Sequence, residues 1–529
     1  MQPNATAAAN PTSVPRPRRT VLRDIGLAVV MMLVAYGGFV LYFATRPVVV
    51  RVDYVQKLVD SLPKPARESD AAWPAYRDAL VQLGFGSKRP GNTDTLGLLG
   101  VRAGQEGWPT ISAWIDTNAD TIAELRAAAK RPILGFPIGR PYTGADADYF
   151  HGGPVAGAAP PSPLDREHFQ FDHLAAPHYG PLRQVARALG SDLERAVELG
   201  DGERATQDAE AIMRLSMHVT EGRLLIGDLV SLAIRQLCVA YVVSVVEWKP
   251  EVFSDDQLRR IQGALLSVPP ELEWFDLTAE RMLFEDTVQR TYSDDGNGDG
   301  WFVPTMRQLS TLESLLGISG GGNSKPSPIV FGAFIWPLRP IGTPMVAGRR
   351  DALAHYQASS ERIEKVPEGS LREQIAACEE VVAERARMRQ DADQVTAYFL
   401  EALIMTVSPQ VMRSYALDRA SRHAASAAIA AELCRRATGA WPASSSDLSP
   451  FNGGVAPTDP WVDAPIRMSR DAGTFRMWSV GRNGVDDGGE PLPFGSPELS
   501  THPMPDSGER PIDWVWFAPS GDTKRWVGK

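Results

Sequence analysis

The chain is 529 residues long, 43% apolar and 22% charged, with 54 basic against 64 acidic side chains and a net charge of −10. That length suffices for several domains and a sizeable core, and the composition excludes a disordered or fibrous chain. The acidic balance carries no electrostatic footprint for nucleic acid, so no nucleic-acid partner is expected.

Residues 1–24, rich in Ala, Asn, Pro and Thr, read as a disordered cytoplasmic tail. Its basic cluster, Arg16, Arg18, Arg19 and Arg23, stands just before residues 25–44 (IGLAVVMMLVAYGGFVLYFA), a run from Ile25 to Ala44 without a charged side chain. A helix of that length crosses a hydrocarbon core of ~30 Å. The run therefore predicts a single transmembrane helix with the lipid bilayer as its partner. Excess arginine before it keeps the N-terminus cytoplasmic and translocates the bulk of the chain across the inner membrane. A cleaved signal would have an apolar run of roughly 7–15 residues and small residues at its end; Tyr42, Phe43 and Ala44 do not fit, and an uncleaved anchor is expected.

Residues 48–415 predict a helical extracytoplasmic domain. Leu182, Val185, Ala186 and Leu189 recur at i, i+3, i+4 and i+7, the spacing of one helical face. Gly200, Asp201 and Gly202 break that helix; a second follows, and a third, very apolar, occupies residues 224–246. This predicts a helical hairpin plus a long apolar helix. Ser254 with Gln257 three residues on predicts a capping box. The longest helical stretch is expected over residues 371–407, with Pro409 stopping or kinking it. Residues 132–181 and 317–326 read as irregular. The apolar run 328–347 is interrupted by Pro328, Pro337, Arg339, Pro340 and Pro344, which excludes a second span. Cys238, Cys378 and Cys434 lie far apart within apolar patterns and read as buried free thiols.

Residues 420–529 predict a helix followed by a small antiparallel sheet. The helix ends in Cys434-Arg435-Arg436-Ala437-Thr438-Gly439-Ala440-Trp441-Pro442. Asp447-Leu448, Asp459-Pro460-Trp461, a hairpin and Trp478-Ser479-Val480-Gly481-Arg482-Asn483-Gly484-Val485-Asp486-Asp487-Gly488-Gly489 follow. This ending resembles the C-terminal part of the major type II secretion pseudopilin. It is also similar to the ending of large uncharacterised membrane-anchored proteins of planctomycete-type bacteria. The resemblance implies a pseudopilin-like module and a structural calcium near its acidic loop. Unlike a pseudopilin, about 370 residues separate the module from the N-terminal helix, and Arg23-Asp24-Ile25 offers no processing site.

Two acidic loops are candidate calcium sites. Asp295, Asn297 and Asp299, followed by Gly300, match positions 1, 3, 5 and 6 of a calcium loop, although Met306 stands where such a loop places a bidentate Glu. Asp486 and Asp487, with Asp513 as a third ligand, form the other. His151, His168, His173 and His178 with Asp165, Glu167 and Asp172 read as polar loop residues. Gly317-Ile318-Ser319-Gly320-Gly321 satisfies G-x-S-x-G without the strand and helix that a nucleophile elbow requires. The expectation is a membrane-tethered, non-enzymatic protein that binds envelope partners. The alternatives are an envelope hydrolase using residues 132–181, or a secretion-system accessory.

Overall fold

In the computed structural model the chain is mainly helical, with a small β part near the C-terminus. The structure describes residues 18–44, 47–85, 99–152, 162–168, 177–303, 305, 308, 346–401, 409–489 and 513–519, apart from 275, 366, 399, 472, 473 and 482. The expected tail before residue 18, His173, Met306, the glycine-rich stretch 317–326 and most of the proline-rich run 328–347 lie outside the described residues.

Three consecutive helices form the centre, labelled here α7 (Tyr179–Leu199), α8 (Gly202–Thr220) and α9 (Leu225–Trp248). The face expected from periodicity is the buried one: Leu182, Val185, Ala186 and Leu189 are all at most 1% exposed. Gly200 closes α7 at φ +79°, and the Asp201 side chain accepts the Arg204 N–H to open α8, so a left-handed C-cap and an N-cap sit back to back. At the α7–α9 crossing the Tyr241 ring lies directly against Gly190, where a Cβ would stand 2.1 Å from it. By length and composition α9 is apolar enough to cross a bilayer, yet most of it is buried against α7, α8 and a later helix.

Before this centre come α1 (Arg18–Ala44), α2 (Tyr54–Ser61), α3 (Trp73–Gln82), α4 (Trp108–Thr117), α5 (Ala119–Ala129) and α6 (Gly144–His151). Helices α3, α4 and α5 pack onto α7 and α8. The helix α6 falls within residues 132–181, which alternation alone leaves irregular, because its apolar content is confined to one short turn over Ala147 and Tyr149. By contrast, α1 presents its apolar side chains outward: Ile25, Leu27, Met32 and Val34 are 55–71% exposed.

After the centre, α10 (Asp255–Leu265) opens with the Ser254–Gln257 capping box, and α11 (Thr278–Thr291) and α12 (Arg349–Glu364) pack together. The long helix expected over 371–407 is interrupted. Asp391 ends α13 (Leu371–Gln390) and accepts the N–H groups of Asp393 and Gln394 to start α14 (Ala392–Ala397). The next described helix is α15 (Pro409–Thr438).

The short α16 (Ser445–Leu448) leads to a two-stranded pair, β1 (Thr458–Asp459) with β2 (Ala464–Pro465), and then to an antiparallel sheet. That sheet, in the order β3 (Arg467–Asp471), β4 (Thr474–Ser479), β5 (Trp514–Phe517), packs on α15. The boundary expected between residues 415 and 420 falls inside α15, and one buried cluster runs from Leu182 through Ala428 to Phe475 and Phe517. All three cysteines are free and buried.

Candidate functional site

On α11, Arg281, Phe284, Glu285 and Val288 follow the i, i+3, i+4, i+7 spacing and so share one face. That face, the opening residue of α2 (Tyr54) and the α12 residues Arg349, Leu353, Tyr356 and Gln357 enclose a cleft of about 390 Å³, within the range of small-molecule sites. Phe284 and Tyr356 stack at 3.8 Å as its floor. Arg281 Nη1 pairs with Glu364 Oε2 at 3.0 Å. Arg349 Nη1 lies 3.2 Å from Asp294 Oδ2, which also takes Arg51 Nη2 at 3.1 Å. One carboxylate thus serves two guanidiniums, and Arg349 Nε is buried without a hydrogen-bond partner. Burial and the neighbouring Glu285 carboxylate hold Tyr54 well above the usual phenol range, so its hydroxyl stays a donor to Glu285.

The cleft is fixed to the segment that follows α1. Asp294 N donates to Pro47 O (3.0 Å), and Gln289 clamps the next turn, accepting from Arg51 N (3.1 Å) and donating to Val52 O (2.7 Å). Asp53 then caps α2 by accepting Gln56 N at 2.8 Å. Tyr54 therefore enters the cleft only ten residues after Ala44.

The first acidic loop is held by hydrogen bonds to its own backbone and to the start of α12. Asp295 Oδ1 accepts the N–H groups of Asn297 (2.8 Å) and Asp299 (3.0 Å), and Asp299 Oδ1 accepts those of Gly300 (2.8 Å) and Arg350 (3.2 Å). Arg350 also donates to Asn297 O at 2.9 Å. The loop thereby caps the start of α12. Gly300 lies against Ser293, whose carbonyl a Cβ would strike at 1.9 Å.

The second acidic loop is tied to Asp513, the residue before β5. Asp513 Oδ2 accepts the N–H groups of Asp487 (2.9 Å) and Gly489 (2.7 Å), which folds the loop over β5. Its Oδ1 is buried without a hydrogen-bond partner, and burial together with the Asp486 and Asp487 charges raises its proton affinity. Asp486 is meanwhile held by Trp478 Nε1 (3.0 Å) and Arg467 Nε (3.2 Å). Among the described residues no group of three or more His, Cys, Asp or Glu side chains is already gathered as a metal site.

The described histidines do not converge. His178 is 1% exposed and stacks on Phe136 at 3.6 Å, and burial pushes its imidazole down to about 3. His151 lies against Tyr142, while His168 pairs with Asp165 at 3.1 Å. The segment carrying His168 is strapped to α11 by buried Arg290, which donates to Pro163 O at 2.6 Å and to Asp165 O.

A cluster unforeseen in the sequence lies where α7, α9, α11 and α15 meet. Burial raises both Asp228 and Glu280, to about 7 and about 8. Glu280 Oε1 accepts Leu225 N at 2.7 Å, while Glu280 Oε2, Asp228 Oδ2 and the Tyr179 hydroxyl have no hydrogen-bond partner. The signal available was Asp228 itself, the one acidic residue within the apolar run 225–246. Comparisons of the chain with known protein families, with curated proteins and with solved structures find no match.

Proposed function

We propose that the protein is a single-pass, membrane-tethered, extracytoplasmic binding protein of the cell envelope, without catalytic activity of its own. The observation that carries this reading is the continuity from α1 into the cleft. An all-round apolar helix with its side chains outward needs an apolar solvent, and the segment leaving it is clamped directly onto α11. The cleft is then held close to the bilayer, with its polar groups on α11 and α12 available to a ligand or an envelope partner. Deleting residues 25–44 is expected to move the protein from the membrane to the soluble fraction with its helical body intact, measured by fractionation and circular dichroism. Retention in the membrane after the deletion overturns the reading.

The C-terminal part is proposed to be a pseudopilin-like module stabilised by calcium, with Asp513, Asp486 and Asp487 as ligands. The unpartnered, buried Asp513 Oδ1 favours this, since a cation is the partner such an oxygen lacks.

A further inference from the structure

We infer that the cleft between α2, α11 and α12 binds a phosphate ester whose alcohol carries free hydroxyl groups. This is the chemistry of glycerol phosphate, presented either as the headgroup of an anionic lipid or as a free molecule. Only the lipid source rests on the membrane-tethered reading.

Three features select that chemistry. First, the cleft lining carries two guanidiniums from different helices, Arg281 and Arg349, beside the carboxylate of Glu285; each is paired through one nitrogen, with Glu364 and with Asp294, and has further N–H donors to offer. Guanidinium forks match phosphate oxygens bidentately. Second, the partners of these arginines leave donors over. Asp294 is divided between Arg51 and Arg349, and Arg349 Nε has no acceptor, so an oxyanion supplies what is missing. Third, Glu285 accepts from Tyr54 and still has lone pairs for an alcohol hydroxyl.

The volume of about 390 Å³ holds roughly a dozen water-sized groups at about 30 Å³ each, which suits a glycerol phosphate. The clamp of residues 47–53 onto α11 keeps the cleft within reach of headgroups.

The test uses the full chain in nanodiscs. In phosphatidylcholine discs, glycerol 3-phosphate is titrated calorimetrically. In discs of mixed phosphatidylglycerol and phosphatidylcholine, the lipids retained on the protein are counted by native mass spectrometry. Arg281→Gln and Arg349→Gln are each expected to weaken binding about tenfold or more, the size of one lost charge-assisted bond. Glu285→Gln is expected to tighten binding of inorganic phosphate severalfold. Leu353→Trp, which fills the cleft and leaves its charges in place, abolishes binding and serves where an arginine variant unfolds.

Titration by glycerol 3-phosphate that these variants reduce assigns the free source; selective retention of phosphatidylglycerol that they reduce assigns the lipid source. Either supports the inference. Binding of neither probe, or binding indifferent to Leu353→Trp, overturns it. A membrane-bound protein that binds neither probe loses this inference alone, whereas one that binds glycerol 3-phosphate but fractionates as soluble loses the tethered reading alone.

Discussion

Asp228 on α9 and Glu280 on α11 share one buried site, where each carboxyl group loses hydration and the Asp228 charge raises the proton affinity of Glu280. The Tyr179 hydroxyl lies in the field of both. Burial therefore favours the neutral form of both carboxyl groups at this junction of four helices.

The sign of the pH dependence follows. The folded state keeps protons on Asp228 and Glu280 up to about 7 and about 8, whereas the unfolded chain releases them near the ordinary values of 3.8 and 4.5. Their contribution to stability is complete below pH ~4 and is lost as pH rises from there through ~8. Thermal melts of the wild type should fall by several degrees between pH 5 and pH 8.5. In Asp228→Asn/Glu280→Gln that slope should be largely gone, because neither amide ionises; an unchanged slope contradicts the assignment.

Burial also dictates what Arg126 does. Its Nη1 bridges Asp192 Oδ2 at 2.5 Å and Asp208 Oδ1 at 2.9 Å, both fully buried, and burial beside Asp192 raises the Asp208 carboxyl well above its usual range. Arg126→Met leaves two acids facing each other and should cost about 3–5 kcal/mol, read by chemical denaturation. Adding Asp208→Asn should recover part of that loss.

At the α7–α9 crossing, Gly190→Ala forces a methyl group into the Tyr241 ring. The expected loss is about 1–3 kcal/mol from overpacking. In a Tyr241→Leu background the same substitution should cost much less, since the ring atoms it meets are gone.

Much of the fold was legible because it is local. The hairpin of α7 and α8 is announced by the Leu182–Val185–Ala186–Leu189 spacing and its Gly200–Asp201 punctuation, and Ser254 with Gln257 marks the start of α10. Local rules failed where two signals compete. Apolar spacing carries on past Asp391, but the Asp391 side chain captures two amides and restarts the helix.

The cleft was not legible, because Tyr54, Arg281 and Arg349 come from segments more than 60 residues apart and are joined only by packing. The hydrogen bonds of the Asp295–Asp299 loop were likewise not legible, because one of its partners, the Arg350 amide, comes from the start of α12, which the spacing alone does not hold.

Calcium at the C-terminal loop has a direct readout. If Asp513, Asp486 and Asp487 hold the ion, millimolar calcium should raise the melting temperature and a chelator should lower it, since a ligand bound only to the native state stabilises it. Asp513→Asn should remove the response. A melting temperature indifferent to calcium in the wild type contradicts the proposal.

The central claim, a body tethered outside the cytoplasm by α1, is tested most directly by labelling a single introduced cysteine. The three native cysteines are buried, and Val455 is 65% exposed, so Val455→Cys supplies a reactive thiol on the surface. In intact spheroplasts, a membrane-impermeant maleimide should label this variant to the same extent before and after lysis, and the protein should sediment with membranes. Labelling that appears only after lysis would place the body in the cytoplasm and contradict the account.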